Sequence, residues 1–136
     1  MAIKPSIEHQ AHMLALEFNE MKYESIDNLK FVYEYQYIPF PRKKYIAMEV
    51  VKRTRSVYQM KDGEWVLWKK DEEKGGIEFF IDGQTGDVFK PQGKMPAKTP
   101  RYNITKPMDY IQMVANKKVS QHGGWLYQDF KNVEVA

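Results

Sequence analysis

The sequence predicts an α+β fold: an N-terminal helix packed on an antiparallel sheet of about five strands, a proline-rich basic loop and a short C-terminal helix. Three observations lead there. Apolar residues recur at helical spacing near the start of the chain, they alternate with period two through its middle, and glycine-containing turn pairs separate the β-prone runs at hairpin distance. With 136 residues the chain has the size of one domain, so residues 1–136 are read as a single unit.

Residues 6–22 form the expected helix, because Ile7, Ala11, Leu14, Phe18 and Met21 share one helical face. Ser6, behind Pro5, is the expected N-cap. Asp27 and Asn28 break the pattern. Leu29–Ile38 then reads as a strand with Phe31, Tyr33, Tyr35 and Tyr37 on one side and Val32, Glu34, Gln36 and Ile38 on the other, ended by Pro39 and Pro41. Lys44–Arg53 is a second strand, with Ile46, Met48 and Val50 on one face, and Thr54–Met60 continues or restarts it. Asp62-Gly63 lies between two β-prone runs and predicts a hairpin, since both residue types accept positive φ. Ile77–Asp82 is a further strand, turned by Gly83-Gln84-Thr85-Gly86 into Asp87–Lys90.

Residues 91–107 hold four prolines and four cations and read as an extended, stiffened loop, because proline lacks a donor and blocks both helix and central strand. Met108–Asn116 predicts a short helix with Tyr110, Ile111, Met113 and Val114 as its apolar side. Gly123-Gly124-Trp125-Leu126-Tyr127 predicts a turn and a last strand.

Several function classes drop out. The absence of cysteine excludes a disulfide framework, a thiolate nucleophile, a zinc finger and a cysteine-ligated cluster. The start, Met-Ala-Ile-Lys-Pro, has no apolar leader and no stretch approaches the length of a membrane span, so the expectation is a cytoplasmic protein with no membrane partner. No Gly-x-Ser-x-Gly, Gly-x-Gly-x-x-Gly or P-loop occurs. His9 and His12 are three apart on the predicted helix, but His122 is the only other histidine, too few ligands for a metal centre. No metal or cofactor is expected, and no catalysis. Were turnover found, Asp82, Asp87 and His122 would be the first acid and base to test.

What the composition favours is binding. Aromatic residues make 14% of the chain, more than a small core needs, and rings left at a surface stack on flat ligands. Residues 41–70 hold nine cations against three acids, a net of +6, and residues 88–108 hold five cations and no acid. Basic segments beside aromatics suit an anionic partner. The candidate ligand site is drawn from the segment that combines these features: Phe80 and Phe89 for stacking, Lys90, Lys98 and Arg101 for phosphate, Tyr102 beside Arg101, and Asn103 to read a base or ribose edge. The same residues also fit a plainer reading, with Phe80 and Phe89 in the core, a well-formed hairpin turn and solvated lysines.

The phrase Phe-Ile-Asp-x-x-Thr-Gly-Asp-Val-Phe-Lys-Pro, followed by Pro-Ala-Lys-x-x-Arg-Tyr-Asn-Ile and later by Gly-Gly-Trp-Leu-Tyr, resembles a family of small, mostly uncharacterised bacteriophage proteins that share this order of motifs. The resemblance covers about residues 77–128. It departs in the spacer Gln92-Gly93-Lys94-Met95, which lacks the family's tryptophan, and it does not extend to the N-terminal half. More distantly, the size and the arginine-plus-aromatic composition are similar to phage anti-defence sponges of the Thoeris type, which sequester cyclic ADP-ribose-type signals; no ligand residue carries over from them. The resemblance implies a phage-encoded protein of the host cytoplasm that counters host defence by holding an anionic, nucleotide-like small molecule. The alternatives are a nucleic-acid-binding protein using an aromatic and basic surface, or a protein inhibitor of a host enzyme. Homo-oligomerisation stays open.

Overall fold

A computed structural model of the chain describes residues 2–21, 23–26, 29–119 and 123–126. The α+β architecture is as expected from the sequence. Helix α1 (Pro5–Glu20) is followed by strands β1 (Tyr23–Ile26), β2 (Leu29–Pro41), β3 (Tyr45–Lys61), β4 (Glu64–Glu73), β5 (Ile77–Asp82) and β6 (Asp87–Phe89). One short pair comes next, β7 (Pro91–Gln92) with β8 (Met95–Pro96), before β9 (Tyr102–Asn103), helix α2 (Pro107–Val119) and a 3-10 turn (Gly123–Leu126). The main sheet is antiparallel, in the order β1-β2-β3-β5-β6-β9, with β4 also paired to β3.

The helix begins one residue before Ser6. Pro5 occupies the first helical turn, where its missing N–H costs nothing, and Lys4 takes the cap position without a side-chain bond. Ser6 therefore does not cap. The apolar stripe behaves as its spacing demands: Ile7, Ala11, Leu14, Phe18 and Met21 are all buried. They pack with Tyr35, Tyr37, Ile46, Met48, Val50, Phe79 and Ile81 of the sheet and with Met113 of α2 in one core.

β3 is one 17-residue strand rather than two. Its first half pairs with β5 and its second half with β4, while β2 runs along its other side throughout. A bulge at Val51 sits between the pairs Tyr37↔Val50 and Gln36↔Lys52. One extra residue flips the alternation. Ile46, Met48 and Val50 face the core before the bulge; after it Arg53, Arg55 and Val57 stand opposite Tyr35, Tyr33 and Phe31. The Asp62-Gly63 turn has positive φ at both residues, 53° and 80°, as a two-residue hairpin requires.

On β2, the backbone of Tyr37 is tied by a side chain. Asn19 of α1 donates through Nδ2 to the Tyr37 carbonyl (3.1 Å) and accepts from the Tyr37 N–H through Oδ1. One amide thus replaces a neighbouring strand. Asn19→Ala should destabilise the protein by about 2 kcal/mol, since it strands two backbone groups beside the core; chemical denaturation measures it.

Two expectations at the C-terminal end are corrected. Gly123–Leu126 forms a 3-10 turn rather than a strand, burying Trp125 and Leu126; Tyr127 lies outside the described residues. On α2, Met113 is buried but Ile111 is exposed, because the inner face runs through Tyr110, Met113 and Lys117, at steps of three and four.

Candidate binding cleft and buried charge centre

The sheet places an ion pair in the middle of the core. Glu78 is the extra residue of a bulge on β5, between the pairs Met48↔Phe79 and Glu49↔Ile77. Regular alternation would send it to the face of Phe80; the bulge turns it toward the helices. Its carboxylate accepts from Tyr37 Oη (2.9 Å), from Lys117 Nζ (3.0 and 3.1 Å to its two oxygens) and from Trp125 Nε1 (3.2 Å). The side chains of Lys117 and Glu78 are 0% and 8% exposed. A buried charge persists only when paired and fully hydrogen-bonded, and this one is.

Lys117 has rings on its other sides. Its ammonium lies 4.9 Å from the ring centroid of Tyr37, 5.3 Å from Tyr35 and 5.5 Å from Phe18, within cation–π range. Burial pushes its pKa below the ordinary lysine value, and the adjacent Glu78 carboxylate opposes that shift. Burial likewise pushes the Tyr35 hydroxyl up to about 12.

Glu78 also borders a cavity of about 150 Å³ with Tyr35, Tyr37, Arg53, Gly75 and Gly76. The close approach of β3 shapes this cavity: a Cβ on Gly75 would lie 2.6 Å from Val50 Cβ and from its carbonyl oxygen, so only glycine fits. Tyr35 and Arg53 also line a larger cleft of about 360 Å³, which adds Tyr33, Thr54, Arg55, Asp71, Glu72 and Glu73. Both volumes therefore meet at one tyrosine and one arginine. Arg53 reaches Glu73 at 3.4 Å through a terminal nitrogen, yet its Nε–H is buried without a hydrogen-bond partner among the described residues. Unpaired buried donors are rare and call for an explanation.

The carboxylates of the cleft are all held. Arg55 bonds Asp71 and, more weakly, Tyr33, which raises the arginine's pKa; the same Arg55 bond is the main cause holding the Asp71 carboxyl below its ordinary value. Lys52 (3.1 Å) holds Glu72 low in the same way, with help from Lys70. These pairs are solvent-exposed, so they contribute little to stability and exchange partner at little cost.

The seven residues singled out in sequence are placed elsewhere. Phe80 and Phe89 pair across β5 and β6 and are buried with Ala47 in a small second cluster, against Tyr45, on the opposite face of the sheet. Tyr102 is buried and its hydroxyl accepts from Asn116 Nδ2 (2.7 Å). The Asn103 amide donates to the Thr85 carbonyl (3.0 Å) and to Asp87 (2.9 Å), and its oxygen accepts from the Thr105 N–H (2.9 Å), locking β9 to the β5–β6 turn. Lys98 is exposed; Lys90 and Arg101 are half-buried. None of the seven lines either cavity. His9 and His12 are exposed on α1, His122 lies outside the described residues, and among the described residues no three His, Asp or Glu side chains converge as metal ligands.

The tyrosine column that builds the cleft is legible in the sequence as one face of β2, whereas the pairing of Arg53 and Arg55 with it is not. The signal was the break in alternation after Val50, where Val51 adds one residue to an otherwise strict period of two.

Among the described residues no helix is long and apolar enough to cross a membrane. No curated protein and no solved structure matches the chain. A family model does, over residues 4–128, and the chain belongs to that family, a family of unknown function designated DUF7717.

Proposed function

We propose that this is a non-catalytic binding protein whose ligand is a small anion carrying a flat ring, held in the cleft between Tyr33, Tyr35, Arg53 and Arg55. The observation that carries the reading is the buried, unpartnered Nε–H of Arg53 at the junction of the two cavities. A phosphate or other oxyanion gives that donor an acceptor and takes a bidentate grip on the guanidinium, displacing only the exposed Glu73. The tyrosine rings beside it supply the stacking face. A cleft of about 360 Å³ matches the lower end of small-molecule sites. The paired carboxylates around it leave the ligand chemically untouched. Host-defence counteraction is the setting we propose with this reading; it rests on the resemblance of residues 77–128 to phage proteins.

Calorimetric titration with adenosine monophosphate and with cyclic ADP-ribose tests it. Binding of either should fall at least about tenfold in Arg53→Ala, the loss of one charge-assisted contact, and remain unchanged in Arg101→Ala. The reverse pattern returns the site to the basic loop, and no binding of either probe overturns the reading. Binding of an oligonucleotide that weakens steeply between low and physiological salt favours the nucleic-acid alternative, because only a polymer releases many counterions. Mass spectrometry of released probe should find it intact.

A further inference from the structure

At the far end of the sheet, β4 hydrogen-bonds to β3 alone among the described residues. Its outer edge offers a row of backbone donors and acceptors, which is a template for another strand. The same strand exposes Val66, Leu67 and Trp68, with Met60 of β3 beside them. Trp68 is 63% exposed. It is the extra residue of a bulge between the pairs Val57↔Lys69 and Tyr58↔Leu67, so it has no cross-strand neighbour on β3. Proteins usually blunt such an edge with like charges. Here the charges run Lys69-Lys70-Asp71-Glu72-Glu73, cations first and acids after.

That order is complementary to itself when the strand is met by its own reverse. We propose that β4 pairs antiparallel with β4 of a second copy about a two-fold axis at Asp71, extending the sheet across a homodimer. A two-fold axis perpendicular to the sheet keeps the faces aligned and sets residues equidistant from Asp71 opposite each other. Lys69 then faces Glu73, Lys70 faces Glu72, and Trp68 faces Lys74, each contact made twice by symmetry. The two Asp71 carboxylates meet at the axis, each already neutralised by Arg55 and Lys69 of its own chain. Neighbouring registers are worse. Centring on Lys70 opposes it to itself and sets Trp68 against Glu72, and centring on Glu72 sets Lys70 against Lys74 and Asp71 against Glu73. The existing partners do not prevent the exchange, because Lys70 and Glu72 are 54% and 43% exposed, and the bonds Glu72 makes within one chain, to Lys52 at 3.1 Å and to Lys70 at 3.4 Å, are of little worth in water.

Sedimentation velocity on the wild type, Lys70→Glu, Glu72→Lys and an equimolar mixture of the two variants tests the pairing. The wild type should dimerise, and each variant alone should dimerise at least about tenfold more weakly, because two opposed pairs become like-charged. The mixture should recover a heterodimer, since each variant then supplies the charge the other lacks. Both positions are exposed, and circular dichroism should show both variants folded. A wild type that stays monomeric up to about 0.1 mM, variants that dimerise as tightly as wild type, or a mixture that fails to associate would each overturn the proposal.

Discussion

Lys117→Met should destabilise the protein by about 3–5 kcal/mol, although the new side chain is apolar and similar in length. The loss comes from what stays behind: Glu78, 8% exposed, keeps its charge in the core with its principal counter-charge gone. Glu78→Gln should be costly for the converse reason, leaving the ammonium among Phe18, Tyr35 and Tyr37 without a carboxylate. The double variant should recover most of the loss, because two neutral groups need no mutual compensation and the Tyr37 and Trp125 donors still find the glutamine oxygen. Guanidinium denaturation of the four proteins measures this, and simple additivity of the two single losses would show that the pair is not coupled. A pH signature accompanies it. The lysine's folded pKa is depressed, so just below the ordinary lysine value the unfolded chain binds more protons there than the folded one. Stability from this group therefore increases as pH rises through that window and is diminished as pH falls through the folded pKa. Lys117→Met should remove that slope.

Trp125→Ala should cost a similar amount, about 3–5 kcal/mol. The indole is fully buried and meets Phe18, Phe79 and Tyr102 at centroid distances of 5.9, 5.5 and 5.7 Å. Trp125→Phe keeps much of the ring contact but removes the N–H from Glu78, and should cost about 1–2 kcal/mol. Thermal denaturation separates the two. If both variants unfold within about 0.5 kcal/mol of wild type, the 3-10 turn does not dock in solution.

These two side chains also show where sequence reading ran out. The α1 stripe, the tyrosine column on β2 and the Asp62-Gly63 hairpin follow from local periodicity and turn chemistry, and the structure has all three. The charge centre follows from neither. Glu78 faces the core only because β5 bulges there, and a bulge is a property of two strands in register. Lys117 stands four residues after Met113 on the inner face of α2, a spacing visible in the sequence. An expected helix end at Asn116, one residue short, left it outside the helix. The binding segment drawn from residues 80–103 failed to assemble into either cavity for a related reason. Its rings and its asparagine amide answer to partners across the sheet and at the β5–β6 turn, which linear proximity to lysines does not reveal.

The centre at Glu78 has a kinetic consequence. Its donors are remote along the chain: Tyr37 lies 41 residues before it, Lys117 lies 39 after and Trp125 lies 47 after. Closing such long loops is slow compared with forming the β2–β3 and β3–β4 hairpins, whose contacts are local. The hairpins can therefore assemble while Glu78 and Lys117 are still hydrated, and both charges are dehydrated together only when α2 and the 3-10 turn dock. Interactions made that late are absent from the folding transition state. Lys117→Met accordingly acts on escape from the native state, speeding unfolding while leaving the folding rate nearly unchanged. This ion pair is therefore expected to bear on the lifetime of the folded protein more than on its speed of formation, which stopped-flow unfolding and refolding of Lys117→Met measure.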